Sequence, residues 1–143
     1  MGLDGEYDRD NIFARILRGE MPAAKVLEDE HALAILDAFP QAEGHTLVLP
    51  KAPARNLLDI EAEPLSALIV RVRTVARAVR AALEPDGLTV SQFNGAAGGQ
   101  SVFHLHFHII PRWKGRPLGG HGQGMADAGE LARLAERIRA ELT

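Results

Sequence analysis

A chain of 143 residues with a net charge of −3 and 46% hydrophobic residues suits one globular domain large enough to bury a core. With 16 basic residues against 19 acidic ones there is no global attraction for polyanions, which argues against nucleic acid as a partner. Cysteine is absent, so disulfides and thiolate metal sites are excluded. The acidic N-terminus and the lack of any long apolar run lead us to expect a cytoplasmic protein without membrane association.

Residues 1–9 read as a polar, loosely ordered arm and residues 10–143 as a single domain. Asp10 is suited to cap a short helix from Asn11 to Arg18, with Gly19 at its C′ position and Met21-Pro22 ending it. On that helix Ile12, Phe13 and Ile16 read first as ordinary core. Ala24 to Leu27 and Ala32 to Asp37 predict two short strands around the acidic turn Glu28-Asp29-Glu30. Gly44 to Lys51 predicts a buried strand entered by Gly-His and closed by Pro50. Glu61 to Leu83 has helical spacing of apolar residues, with Pro64 in its first turn and its arginines on a solvated side. Leu88 to Phe93 predicts another strand. The segment from Trp113 to Gly124 reads as a mobile loop holding His121, and Asp127 with Glu130 forms a possible capping box for a last helix.

The chemistry concentrates between Asn94 and Arg112. A glycine-rich loop runs into Val102 to Ile110, where apolar, aromatic and β-branched residues favour an extended backbone. Successive side chains on a strand point to opposite faces, so His104, His106 and His108 share one face and Phe103, Leu105, Phe107 and Ile109 the other. We expect the imidazoles on a surface that the core does not claim.

Three readings fit such a row. It can be a solvated polar face. It can hold a metal, since His-x-His on a strand binds zinc, although His104 and His108 would lie about 13 Å apart along a straight strand. It can do phosphorus chemistry. In that case the amides around Gly95, Gly98 and Gly99 form an anion-binding concavity, Ser101 adds a hydroxyl, and His106 attacks through an unprotonated ring nitrogen.

The run His104-Leu105-His106-Phe107-His108-Ile109-Ile110 fits the His-φ-His-φ-His-φ-φ signature, φ being apolar, with Gly99-Gln100-Ser101 just upstream. On these residues, and on Gly44 to Lys51, the chain resembles the histidine triad (HIT) family of nucleotide hydrolases and transferases from roughly Asn11 to Arg112. The resemblance implies an α+β, HIT-like fold in which an antiparallel sheet of about five strands packs with a long helix and shorter helices. It also implies a homodimer across the long helix and a sheet edge, and a purine nucleotide as the bound partner.

The same resemblance implies catalytic roles for His106, His104, His108 and Ser101. A nucleotide pocket would draw on Asp37 for the ribose hydroxyls, on His45, Asn94, Gly99 and Gln100, and on Ile12, Phe13, Ile16 and Leu36. No cofactor or metal is implied. The places that hold zinc ligands in some bacterial relatives are Asn11, Ala14 and Pro53 here, and Phe93 stands where many relatives carry Asn or Gln. A nucleotide-binding or signalling module with little turnover is the alternative function.

Overall fold

Alternation of buried side chains along two adjacent strands sets the architecture, described in a computed structural model for residues 1–119 and 124–142. Strands β1 (Lys25–Glu28), β2 (Ala32–Leu36), β3 (Thr46–Pro50), β4 (Gly87–Ser91) and β5 (Phe107–Arg112) form one antiparallel sheet in the order β1-β2-β3-β5-β4. Helices α1 (Ile12–Leu17), α2 (Ala62–Leu83) and α3 (Ala128–Arg139) complete the domain. No described helix is long and apolar enough to cross a membrane.

Every residue of β2 and β3 is buried, so both faces of the central sheet are covered. Ala32, Ala34, Leu36, Val48 and Ile109 belong to the cluster formed with Leu68, Val72, Val75 and Val79 of α2 and Leu134 and Ile138 of α3. Leu33, Ile35, Leu47 and Leu49 face the other way, against Phe13 and Ile16 of α1. The short helix therefore covers one face while two longer helices cover the other.

Two local expectations change in the structure. The α1 N-cap is Asn11, whose side chain accepts from the Ala14 amide at 2.9 Å, and not Asp10. Arg71, expected on a solvated face, instead donates through Nε to Asp29 Oδ2 at 2.9 Å. That carboxylate also accepts from the His31 and Ala32 amides, so it joins the β1–β2 turn to α2.

The largest difference concerns the histidine segment. Extended pairing begins at Phe107, opposite Val48, and residues 102–106 stand outside the ladder. Position 50 of β3 is proline, which has no N–H to donate, and its carbonyl accepts from the His104 ring instead. The Leu105 amide turns to the Ala54 carbonyl at 2.9 Å. Of the expected 113–124 loop, residues 120–123, His121 among them, lie outside the described residues.

Candidate active site

The α1 face of the sheet gathers the ionisable side chains. Asp37 and His45 directly extend the β2–β3 ladder, with the Asp37 amide donating to the His45 carbonyl at 2.9 Å. They share the parity of Ile35 and Leu47, and His108 pairs with Leu47 across β3 and β5. This register brings residues from three strands to one spot.

The three histidines are not surface residues. His104, His106 and His108 are 0%, 7% and 5% exposed, because their ring nitrogens find partners inside the protein, Phe13 packs edge-on against His104 and His106, and Phe93 flanks His108. The Phe13 ring meets His106 edge-on at 4.8 Å between centroids, so this residue is both core and site wall. His106 and His108 lie 5.0 Å apart, and Phe93 flanks His108 at 5.2 Å.

Hydrogen bonds order the protons on these rings. A carbonyl oxygen can only accept, so the 2.7 Å contact between His106 Nδ1 and the His104 carbonyl places the proton on Nδ1. The lone pair of a neutral His106 is then on Nε2. His104 donates through Nε2 to the Pro50 carbonyl at 2.8 Å and accepts at Nδ1 from the Tyr7 hydroxyl at 2.5 Å.

A second chain runs from the other side. The Gln41 amide donates to His45 Nδ1 at 3.1 Å, so the His45 proton is on Nε2, from which it reaches His108 Nδ1 at 2.9 Å. His108 therefore presents its own N–H at Nε2. His45 Nε2 also lies 3.5 Å from Asp37 Oδ2, while Asp37 Oδ1 accepts from the Phe39 amide. The ligand atoms of Asp37, His45 and His108 lie within 4.8 Å of one another, close enough in principle for a metal ion. Such an ion would have to displace the proton between the two imidazoles.

The glycine loop differs from the expected concavity. Gly95 and Gly99 adopt φ of +74° and +103°, which a side chain would strain, around a 3-10 turn over Ala96–Gly98. The amides of Gly98, Gly99 and Gln100 donate to carbonyls within this turn, and the Gly95 amide donates to Gln100 Oε1 at 2.8 Å. These amides are spent on the loop itself. No carbonyl among the described residues accepts from the amide of the exposed Ser101.

Several expected pocket residues take other places. The buried Gln100 amide spans Gly95, the Arg55 carbonyl and the Val102 carbonyl, so it braces the loop. Asn94 is tied to Gln92 and to the Leu57 amide. Leu36 points to the α2 and α3 side, and Ile35 holds the position on the histidine face. Ile12 is exposed on α1, whereas Phe13 and Ile16 are buried. Tyr7, Gln41 and Ile35 were not singled out by sequence; alternation from Asp37 selects Ile35, and Tyr7 and Gln41 carry no local signal.

Burial lowers the pKa of His104 from 6.5 to about 4, so the ring is neutral in the folded protein at neutral pH. An unfolded chain takes up this proton below pH 6.5. The contribution to stability is therefore complete above that pH and is lost as pH falls toward 4, amounting to roughly 3 kcal/mol. Urea unfolding followed across this window should show stability falling with pH, and His104→Gln, which cannot titrate, should flatten that slope. An unchanged slope in the variant would mean that His104 is not a buried neutral imidazole.

Comparison with known proteins bears on the family and the fold. A family model described as HIT domain matches residues 18–115. A Hit-like protein involved in cell-cycle regulation from Bartonella henselae, solved with an unknown ligand, is 47% identical with a TM-score of 0.90, over 96% of this chain and 100% of that one. Protein hit of Bacillus subtilis is 45% identical over 81% of each chain, and the adenylylsulfatase HINT3 of Arabidopsis thaliana is 39% identical over 93% of this chain and 70% of that protein. Matched by that model over more than half its length and at least 39% identical to these relatives, the chain belongs to the HIT family.

Proposed function

We propose that the protein is a nucleotide hydrolase or nucleotidyl transferase that cleaves at the α-phosphate of a purine nucleoside phosphate conjugate. The conjugate is a dinucleoside polyphosphate, a phosphoramidate or an adenylate. The observation that carries the reading is the His106 Nδ1–H bond to the His104 carbonyl, which leaves Nε2 as the nucleophilic nitrogen. Attack of Nε2 on phosphorus breaks the bond to the leaving group and gives a nucleotidyl-histidine. Positive charge growing on the ring is stabilised through Nδ1–H by the carbonyl behind it.

His108, with its proton on Nε2, supplies a donor to a phosphoryl oxygen or to the departing atom, and Ser101 supplies another at the mouth of the loop. Water then resolves the intermediate and restores His106. Asp37 accepts from the ribose hydroxyls with the lone pairs that Phe39 and His45 leave available. The base lies along α1, where Ile12 is exposed beside the buried Phe13 and Ile16. The adenylylsulfatase among the relatives favours an adenylate within the substrate class.

We also propose a homodimer. Strand β4 is a sheet edge carrying exposed Val90, and α2 exposes Ile69 and Val70, so apolar surface and unpaired backbone groups are left for a second copy. Sedimentation of the wild type should give twice the chain mass, and Val90→Lys should shift the protein toward monomer. A monomeric wild type at micromolar concentration would overturn this assembly.

His106→Ala should lose at least about 1,000-fold in kcat on any conjugate the wild type cleaves, while nucleotide affinity stays measurable by calorimetry. Acid quench during turnover should leave labelled nucleotide on the wild type and none on the variant. Wild-type turnover by His106→Ala would refute the assignment of the nucleophile. Tight purine nucleotide binding without turnover of any conjugate class would establish the binding-module alternative.

A further inference from the structure

The N-terminal arm has no regular secondary structure, yet its backbone is gripped along its length. The Met1 carbonyl accepts from the Ala96 amide in the glycine loop at 2.9 Å. Leu3 accepts from Asn56 Nδ2 at 2.8 Å, and its side chain packs where a Cβ on Gly95 would come within 3.2 Å. Arg55 donates to the carbonyls of Gly2 at 3.0 Å and Glu6 at 3.4 Å.

Arg55 is itself built into the site. It is buried, its guanidinium lies 4.6 Å over the Phe103 ring, and its carbonyl receives the Gln100 side chain that braces the glycine loop. Gly5 passes so near the guanidinium that an added Cβ would stand 3.2 Å from Nη1. Arm, arginine and loop form one connected body. That body ends at Tyr7, whose hydroxyl donates to His104 Nδ1 at 2.5 Å with the ring edge-on to the imidazole.

His104 sits outside the sheet ladder, so its main chain lacks the support that strands receive. Beside the neighbouring Leu105 amide on Ala54, what holds it is the ring, fixed at Nε2 by the Pro50 carbonyl and at Nδ1 by Tyr7. The carbonyl of this same residue receives the His106 Nδ1–H. Burial raises the pKa of the phenol, which keeps it a donor at neutral pH.

We propose that the N-terminal arm is part of the catalytic centre and that Tyr7 is a positioning residue, holding His104 so that its carbonyl orients His106. The inference rests on His106 being the nucleophile. Removing the hydroxyl lets the buried His104 ring turn and move its carbonyl, and misplacement of that kind acts on the chemical step more than on nucleotide binding.

Two measurements test it separately from the proposed function. Tyr7 is the only tyrosine in the chain, so the tyrosine Fermi doublet in an ultraviolet resonance Raman spectrum reports on this one phenol. In the wild type it should show a strong donor, and His104→Gln should weaken that donor. On a conjugate the wild type cleaves, Tyr7→Phe should lower kcat on the order of tenfold to a hundredfold while KM changes less than about twofold. Deletion of residues 1–6 should reproduce the fall in kcat. A water-like doublet in the wild type, or full kcat in Tyr7→Phe, would overturn the proposal. A strong-donor doublet in a protein that cleaves no conjugate would retain the Tyr7 contact and remove the enzymatic reading instead.

Discussion

The bond from His106 Nδ1 to the carbonyl of His104 is the constraint on which the site depends. A neutral imidazole carries one proton, and a carbonyl oxygen demands it, so the acceptor at 2.7 Å decides which ring nitrogen keeps its lone pair. A side-chain acceptor could rotate away. A backbone carbonyl moves only with the chain, and the chain at residue 104 is fixed by the ring contacts to Pro50 and Tyr7 and by the neighbouring Leu105 amide on Ala54.

The fold supplies complementary order on the opposite side of His106. Because Asp37 and His45 extend the β2–β3 ladder and His108 pairs with Leu47, a proton sequence runs from the Gln41 amide through His45 to His108. His106 presents a lone pair and its neighbour presents a proton, although both are histidines. Burial strengthens the distinction, since each buried ring nitrogen carries a desolvation penalty when its partner is lost. Chemically identical side chains thus hold their protons on different ring nitrogens, His106 through its acceptor and His108 through its donor.

Much of this was legible in the residues. The period-two row of imidazoles placed all three on one face, and the spacing of Val72, Val75 and Val79 marked the long helix. The row was expected at the surface because histidine is polar; it is buried because its partners come from distant residues, Tyr7 lying 97 positions before His104. Alternation could not foresee that the ladder would stop beside Pro50, since that neighbour is known only after the strands have paired. Asn94 and Gln100 have the amides that nucleotide ligands use, but loop carbonyls use the same groups, and composition does not tell which claims them. Leu36 faces α2 and α3, and the alternation rule, counted from Asp37, points to Ile35 on the histidine face.

Long-range proton–nitrogen correlation of the imidazoles in the unliganded protein near neutral pH tests the central arrangement most directly. His106 should appear as a single tautomer, protonated at Nδ1 and unprotonated at Nε2. A proton on Nε2 of that ring, or two tautomers in rapid exchange, would show that the His104 carbonyl does not set the His106 tautomer.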